Sequence, residues 1–373
     1  MRKATRQVAL MIAVSAISVA ATSPAYATKE EENDVVQNSS ADKSKANGET
    51  VVQPAASKGT EAGQASLQKE VAKNGKNIRL ALTLAGGGSR GAAHIGVLKV
   101  FDREGIKPDF ISGSSVGAMI GSLYAAGVSP AQLEKLALEG KFKKAYFPIP
   151  KNVKSFFYSV PYFAQRAVLL KPKIGLYSGK SISRFIEKNL PEGVENFEDL
   201  KIPVAVTAIN LVDTKPVWLT KGSIAQAVRV SNTVPFMYKI AGPKDGPQLV
   251  DGGIRTNLPT EIAEAAGAPL VVAVKLHSYL EKVSPKEFDT NTDMADRVTS
   301  IFMAEIEGKG VGDADILVEP EVQYMTMHSF DRKSMERAIA AGEAAAEKQV
   351  SEIKRRLATT DVAHNEKPNQ SFK

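Results

Sequence analysis

Ser115 is the residue whose setting most directly implies chemistry. It lies in Gly113-Ser114-Ser115-Val116-Gly117, the G-x-S-x-G spacing of a nucleophile elbow, between the apolar strand end Asp109-Phe110-Ile111 and an apolar helix start. A serine on such a strained turn projects its hydroxyl into a cleft, and Gly113 and Gly117 are the side-chain-free neighbours the turn requires. The same spacing also recurs in ordinary Gly/Ser-rich turns, so it gains weight only with partners.

Two further stretches are such partners. The strand-length apolar run Ile78 to Leu84 enters Ala85-Gly86-Gly87-Gly88-Ser89-Arg90-Gly91, and a helical pattern follows from Ala92 to Phe101. Backbone N–H groups of a glycine loop at a helix start can hydrogen-bond an oxygen that gains negative charge, which makes Gly86, Gly87 and Gly88 candidate oxyanion-hole donors for the serine. Gly86, Gly88 and Gly91 also satisfy the G-x-G-x-x-G of dinucleotide sites, which needs an acid about 20 positions on, at the end of the second strand. Asp109 has nearly that separation but precedes its strand. Arg90 reads as a support for the loop, a contact to an acidic substrate group, or an ordinary surface arginine.

The other partner is Val250-Asp251-Gly252-Gly253, an apolar strand end that carries an acid into two glycines. If its strand shares the sheet of Ser115, Asp251 stands at the carboxyl edge where α/β folds gather their sites. Otherwise it is an Asp-Gly turn that reverses the chain. A hydrolase with the chain order Ser, Asp, His would draw its base from His277 or His328, while His94, one turn into the helix after the glycine loop, reads as a structural residue bonded to that loop.

The elements that must position these groups alternate in type. A small-residue helix spans Val116 to Ala126 with Gly127 at its C′ position, and Ser129-Pro130 caps and starts the next, Ala131 to Glu139. A helix over Ser178 to Asn189, strands over Pro203 to Asn210 and Val217 to Leu219, and a helix over Ile224 to Val230 follow, the last broken by Ser231-Asn232-Thr233-Val234-Pro235. Helix Thr260 to Ala266, strands Pro269 to Val274 and Asp315 to Val318, and a long helix from about Lys333 to Leu357 complete the pattern. Such alternation implies an α/β fold with helices on a mostly parallel sheet. Residues 141–173 mix aromatics with lysines and prolines. They read either as a lid or peripheral membrane contact, or as aromatics packed on the domain's own core beneath solvated lysines.

The N-terminus differs in kind. Arg2, Lys3 and Arg6 precede the apolar run Val8 to Ala21, and Ala25-Tyr26-Ala27 closes it, the layout of a signal peptide over residues 1–27. Export is the expected consequence, whether periplasmic, secreted or outer-membrane associated. Residues 28–77 are poor in apolar side chains and read as a disordered linker, residues 78–358 as the folded domain and 359–373 as a polar tail. The chain has no cysteine, which excludes disulfides, thiol catalysis and cysteine-held zinc. Removing residues 1–27 takes the net charge from +7 to +4, a mild excess compatible with anionic membrane surfaces and no signature of a nucleic-acid partner.

With Leu84-Ala85-Gly86-Gly87-Gly88-Ser89-Arg90-Gly91-Ala92-Ala93-His94-Ile95-Gly96-Val97-Leu98, then Gly113 to Gly117, then Val250 to Gly253, the chain resembles the patatin-like phospholipase family over about Ile78 to Leu357. The resemblance implies a three-layer α/β/α fold and a Ser-Asp dyad that acts on acyl esters of lipids. By motif position Ser115 is then the nucleophile, Asp251 the general base and Gly86 to Gly88 the oxyanion hole, with Arg90, Gly91, Gly113, Gly117, Gly252 and Gly253 as motif support. No metal, cofactor or histidine is called for. The expected activity is a lipid acyl hydrolase of the phospholipase A or lysophospholipase type. The alternatives are a lipid acyltransferase and a lipid-binding protein without turnover.

Overall fold

The computed structural model describes residues 56–57, 78–148 and 175–365, apart from 176, 244, 277–279, 281, 283 and 286–290. The expected signal peptide, most of the expected linker, residues 149–173 of the aromatic segment and His277 lie outside the described residues.

The strands β1 (Ala56–Ser57), β2 (Ala81–Leu84), β3 (Phe110–Gly113), β4 (Val204–Asn210), β5 (Pro216–Leu219), β6 (Leu249–Asp251), β7 (Val271–Val274) and β8 (Ile316–Val318) form one sheet. Its order is β1-β5-β4-β3-β2-β7-β8, with β6 paired to β4 off that path. The central pairs β2–β3, β2–β7, β3–β4 and β7–β8 are parallel, whereas β5 and β6 run antiparallel to β4. Parallel strands need both faces covered. Accordingly Leu82 and Leu84 of β2 join the larger core, while Ala81, with Phe110, Ala205 and Val271, meets Ile262 and Ala263 on the opposite face. The expected three-layer arrangement of helices on a mostly parallel sheet is the one observed.

The helices are α1 (Ala92–Arg103), α2 (Val116–Ala126), α3 (Pro130–Leu138), α4 (Lys141–Tyr146), α5 (Lys180–Asn189), α6 (Ile224–Ser231), α7 (Thr260–Ala265), α8 (Asn291–Gly308), α9 (Arg332–Glu347) and α10 (Val350–Asn365). The Ser129 hydroxyl accepts the Gln132 N–H at 3.2 Å and Pro130 opens α3, while Gly127 ends α2 at φ 105°. Helix α1 lies against α9 so closely that a Cβ on Gly96 would run into the Ile339 carbonyl, and one on Gly342 into that of Ala93. Among the described residues no helix is long and apolar enough to cross a membrane.

Three expectations change, and one open choice narrows. The long helix from Lys333 to Leu357 is two, α9 and α10, and the break lets Ile353 of the second bury completely in the core. The last helix runs to Asn365, beyond the expected start of a polar tail at 359. Ala56–Ser57, inside the expected linker, pairs with Val217 and Trp218 of the edge strand β5. In the described part of the aromatic segment, Phe142 and Tyr146 are buried and Phe147 packs on Tyr146, Tyr177 and Phe330, so these rings belong to the core while Lys141, Lys143 and Lys144 face solvent.

Candidate active site

Ser115 occupies the strained turn between β3 and α2, with φ 52° and ψ −119°. A positive φ at a residue with a Cβ costs on the order of 1–3 kcal/mol and persists only where the surroundings over-determine it. Here they do. The Ser115 N–H donates to the Ser231 hydroxyl at 2.9 Å, and the Ser114 N–H donates to the Leu84 carbonyl at 3.1 Å. The flanking glycines allow the close approach: a Cβ on Gly113 would lie 2.7 Å from the Ala118 nitrogen, and one on Gly117 would run into the Leu84 carbonyl.

Asp251 reaches this turn by an unexpected route. Strand β3 pairs with Val204 to Val206 and stops, and the antiparallel β6 pairs with Ala208 to Asn210 of the same strand β4. Because β5 holds the other edge of β4, β3 and β6 share one edge and meet end to end. Asp251 therefore faces the elbow from a strand that runs against β4, rather than from the carboxyl end of a parallel strand. Its N–H donates to the Thr233 carbonyl at 3.0 Å, and its carboxylate accepts the Gly253 N–H at 2.9 Å. Gly252 permits this packing, because a Cβ there would strike the Thr207 hydroxyl. Only 5% of Asp251 is exposed, and that burial pushes its carboxyl up to about 6, against the opposing pull of the Gly253 N–H and of the adjacent Ser115 hydroxyl.

Three consecutive residues at the end of α6 tie the two groups together. Ser231 receives the Ser115 N–H, Thr233 receives the Asp251 N–H, and Asn232 lies between them. The Asn232 amide nitrogen donates to the carbonyls of Ser115 and Val228, each at 2.8 Å, and its oxygen accepts the Tyr146 hydroxyl. The Ser115 hydroxyl stands 3.5 Å from that same oxygen. In the sequence this stretch shows only as a helix break, with nothing to mark Asn232 or Tyr146.

The glycine loop covers the elbow from the other side. The Gly86 N–H donates to the Asn257 carbonyl at 3.1 Å, so Gly86 is not free to serve an oxyanion as expected. Among the described residues the N–H groups of Gly87 and Gly88 meet no acceptor. Arg90 is buried and its Nε donates to the Met325 carbonyl at 2.9 Å, so it ties the loop to that segment and is no ordinary surface arginine. A Cβ on Gly91 would collide with the Val116 side chain, and its absence seats the loop on α2. Asn257, another residue the sequence did not mark, donates from its side chain to the Gly86 carbonyl at 3.1 Å and to the Glu307 carboxylate at 3.4 Å.

The model for patatin-like phospholipases matches residues 82–264, which run from β2 past the elbow and Asp251. Those residues belong to the patatin-like phospholipase family. Mouse patatin-like phospholipase domain-containing protein 6 is 31% identical over 203 residues, covering 54% of this chain and 14% of the mouse protein. Neuropathy target esterase sws of Drosophila melanogaster is 30% identical over 200 residues, 53% of this chain and 13% of the fly protein. The chain thus spans only a small part of both relatives. Among solved structures, VipD from Legionella pneumophila aligns over 74% of this chain and 67% of its own, at 16% identity and a TM-score of 0.42.

Of the other groups weighed from sequence, Asp109, His94 and His328 lie among the described residues. Asp109 caps the opposite end of the sheet, where its carboxylate accepts the N–H groups of Arg79 at 3.0 Å and Leu80 at 3.2 Å, so it is no ribose ligand for the glycine loop. His94 is fully buried, its pKa is lowered to about 4 by that burial, and Nε2 bonds the Ala85 carbonyl at 2.8 Å. Since a carbonyl only accepts, Nε2 carries the proton and His94 is the expected support of the loop. The His328 ring packs on Phe147 at 5.7 Å between centroids.

Proposed function

We propose that the chain is a lipid acyl hydrolase of the phospholipase A or lysophospholipase type, working through Ser115 and Asp251. The observation that carries this reading is the Ser115 hydroxyl, held on a strained elbow beside a buried carboxyl whose pKa is near 6. A carboxylate of ordinary pKa is a weak base for a serine hydroxyl, and a base tuned toward the working pH is a better one. Asp251 takes the proton as Ser115 Oγ bonds the ester carbonyl carbon, and the oxygen that becomes negative is met by the N–H groups of Gly87 and Gly88. Collapse expels the alcohol, which receives the proton from Asp251 and leaves an acyl-enzyme. Water then attacks that ester, Asp251 accepts its proton and returns it to Ser115, and the fatty acid departs.

The lipid substrate class rests on family membership and on the phospholipase and esterase names of the relatives. Export rests on the charged, apolar and small-residue layout of residues 1–27. The test is fatty-acid release from phospholipid vesicles in excess chelator, comparing the parent chain with Ser115→Ala and Asp251→Asn. The expected outcome is release by the parent and loss in both folded variants. Full activity in Asp251→Asn would remove the dyad, and parent protein inert toward phospholipids and small esters alike would remove the hydrolase.

A further inference from the structure

The Ser115 hydroxyl has one proton and two candidate acceptors: the Asn232 amide oxygen, to which it makes a long bond of 3.5 Å, and the neighbouring Asp251 carboxylate, to which it makes no such bond at rest. Only donation to Asp251 prepares the proton transfer. We propose that Tyr146 and Asn232 are positioning residues for the nucleophile, Tyr146 occupying the Asn232 oxygen so that the Ser115 proton is directed to Asp251. This inference rests on the Ser-Asp reading above.

The orientation of the Asn232 amide is fixed on both ends. Its nitrogen donates to two carbonyls, that of Ser115 itself and that of Val228, so the oxygen must be the atom that faces Tyr146 and Ser115. Asn232 is fully buried, and an amide held by three such bonds has no room to rotate. Its oxygen has two lone pairs, and the short bond from the phenol satisfies one of them. What is left for Ser115 is a long contact to an acceptor already in use.

Tyr146 is built to remain that donor. Its ring packs against Phe147 and Phe330, its own carbonyl accepts the Tyr238 hydroxyl at 2.8 Å, and burial pushes its ionisation well above the ordinary tyrosine range. The phenol thus stays protonated through the pH range in which Asp251 ionises. In Tyr146→Phe the ring and its packing remain, while the Asn232 oxygen is released to compete for the Ser115 proton.

The experiment measures kcat and KM on a soluble fatty-acyl ester, together with the rate of covalent labelling by a fluorophosphonate, for the parent chain, Tyr146→Phe and Asn232→Asp. Near-UV circular dichroism and the thermal midpoint report whether each variant is folded. The expected result for Tyr146→Phe is an intact fold, kcat and labelling rate each reduced about tenfold, the worth of one hydrogen bond, and KM unchanged. Asn232→Asp keeps the shape but loses both donated bonds to carbonyls, and it should label more slowly still. A Tyr146→Phe chain that labels at the parent rate, or that raises KM at constant kcat, would overturn the proposal while the dyad stands. A parent chain that does not label at all would overturn the hydrolase reading and this one with it.

Discussion

Asp251, the general base of the proposed dyad, combines two opposed demands in a single side chain. Its removal from water raises the carboxyl from 3.8 to about 6, which makes it a better base and a worse buried anion. Between those two values the folded state binds the proton more tightly than the unfolded chain does, so stability falls as pH rises through the window and the deficit persists at pH 7. In Asp251→Asn the charge is gone and the amide oxygen still accepts the Gly253 N–H. That variant should gain on the order of 2–3 kcal/mol at pH 7 and show no gain below about pH 4, as read by urea unfolding at both values. Its ester turnover should fall at least about 100-fold. In the parent chain, kcat/KM should decline as pH drops through about 6, because a protonated Asp251 accepts nothing.

At the scale of elements, the site exists because β3 and β6 share one edge of β4 and the end of α6 spans the gap between them. The framework around it depends on close backbone approaches that only glycine permits. Gly342→Ala would drive a methyl into the Ala93 carbonyl across the α1–α9 contact, where no flexible side chain can yield. A loss of roughly 2 kcal/mol is expected, seen as a lowered thermal midpoint, with the turnover of the remaining folded protein unchanged. Asp109→Ala tests the opposite end of the sheet. It removes an acceptor for the N–H groups of Arg79 and Leu80, and should cost about 1–2 kcal/mol in stability while leaving ester hydrolysis intact.

For the whole molecule, β1 is the only described part of the region before residue 78, and it adds two residues to the rim of the sheet beside Trp218. Residues 28–77 are poor in apolar side chains, so deleting residues 1–77 should lower stability by no more than about 1 kcal/mol and preserve hydrolysis, as measured by thermal melting and fatty-acid release. A collapse of either would place residues before 78 within the domain's own core. The core itself was readable in advance from strand-length apolar runs such as Ala81 to Leu84, which are buried on both faces.

What the sequence determined by itself is local. The elbow at Ser115, the glycine loop, the Ser129 cap and the Gly127 stop each depend on residues a few positions apart, because φ, capping and chain reversal are decided within a turn. Tertiary structure alone decided the rest. Asn232 lies 117 positions from Ser115 and Tyr146 another 86 from Asn232, and no periodicity marks a single amide or phenol for a partner that far along the chain. The antiparallel direction of β6 and the capture of the Gly86 N–H by Asn257 were equally hidden, since pairing direction and the use of a backbone donor depend on which segment arrives beside it.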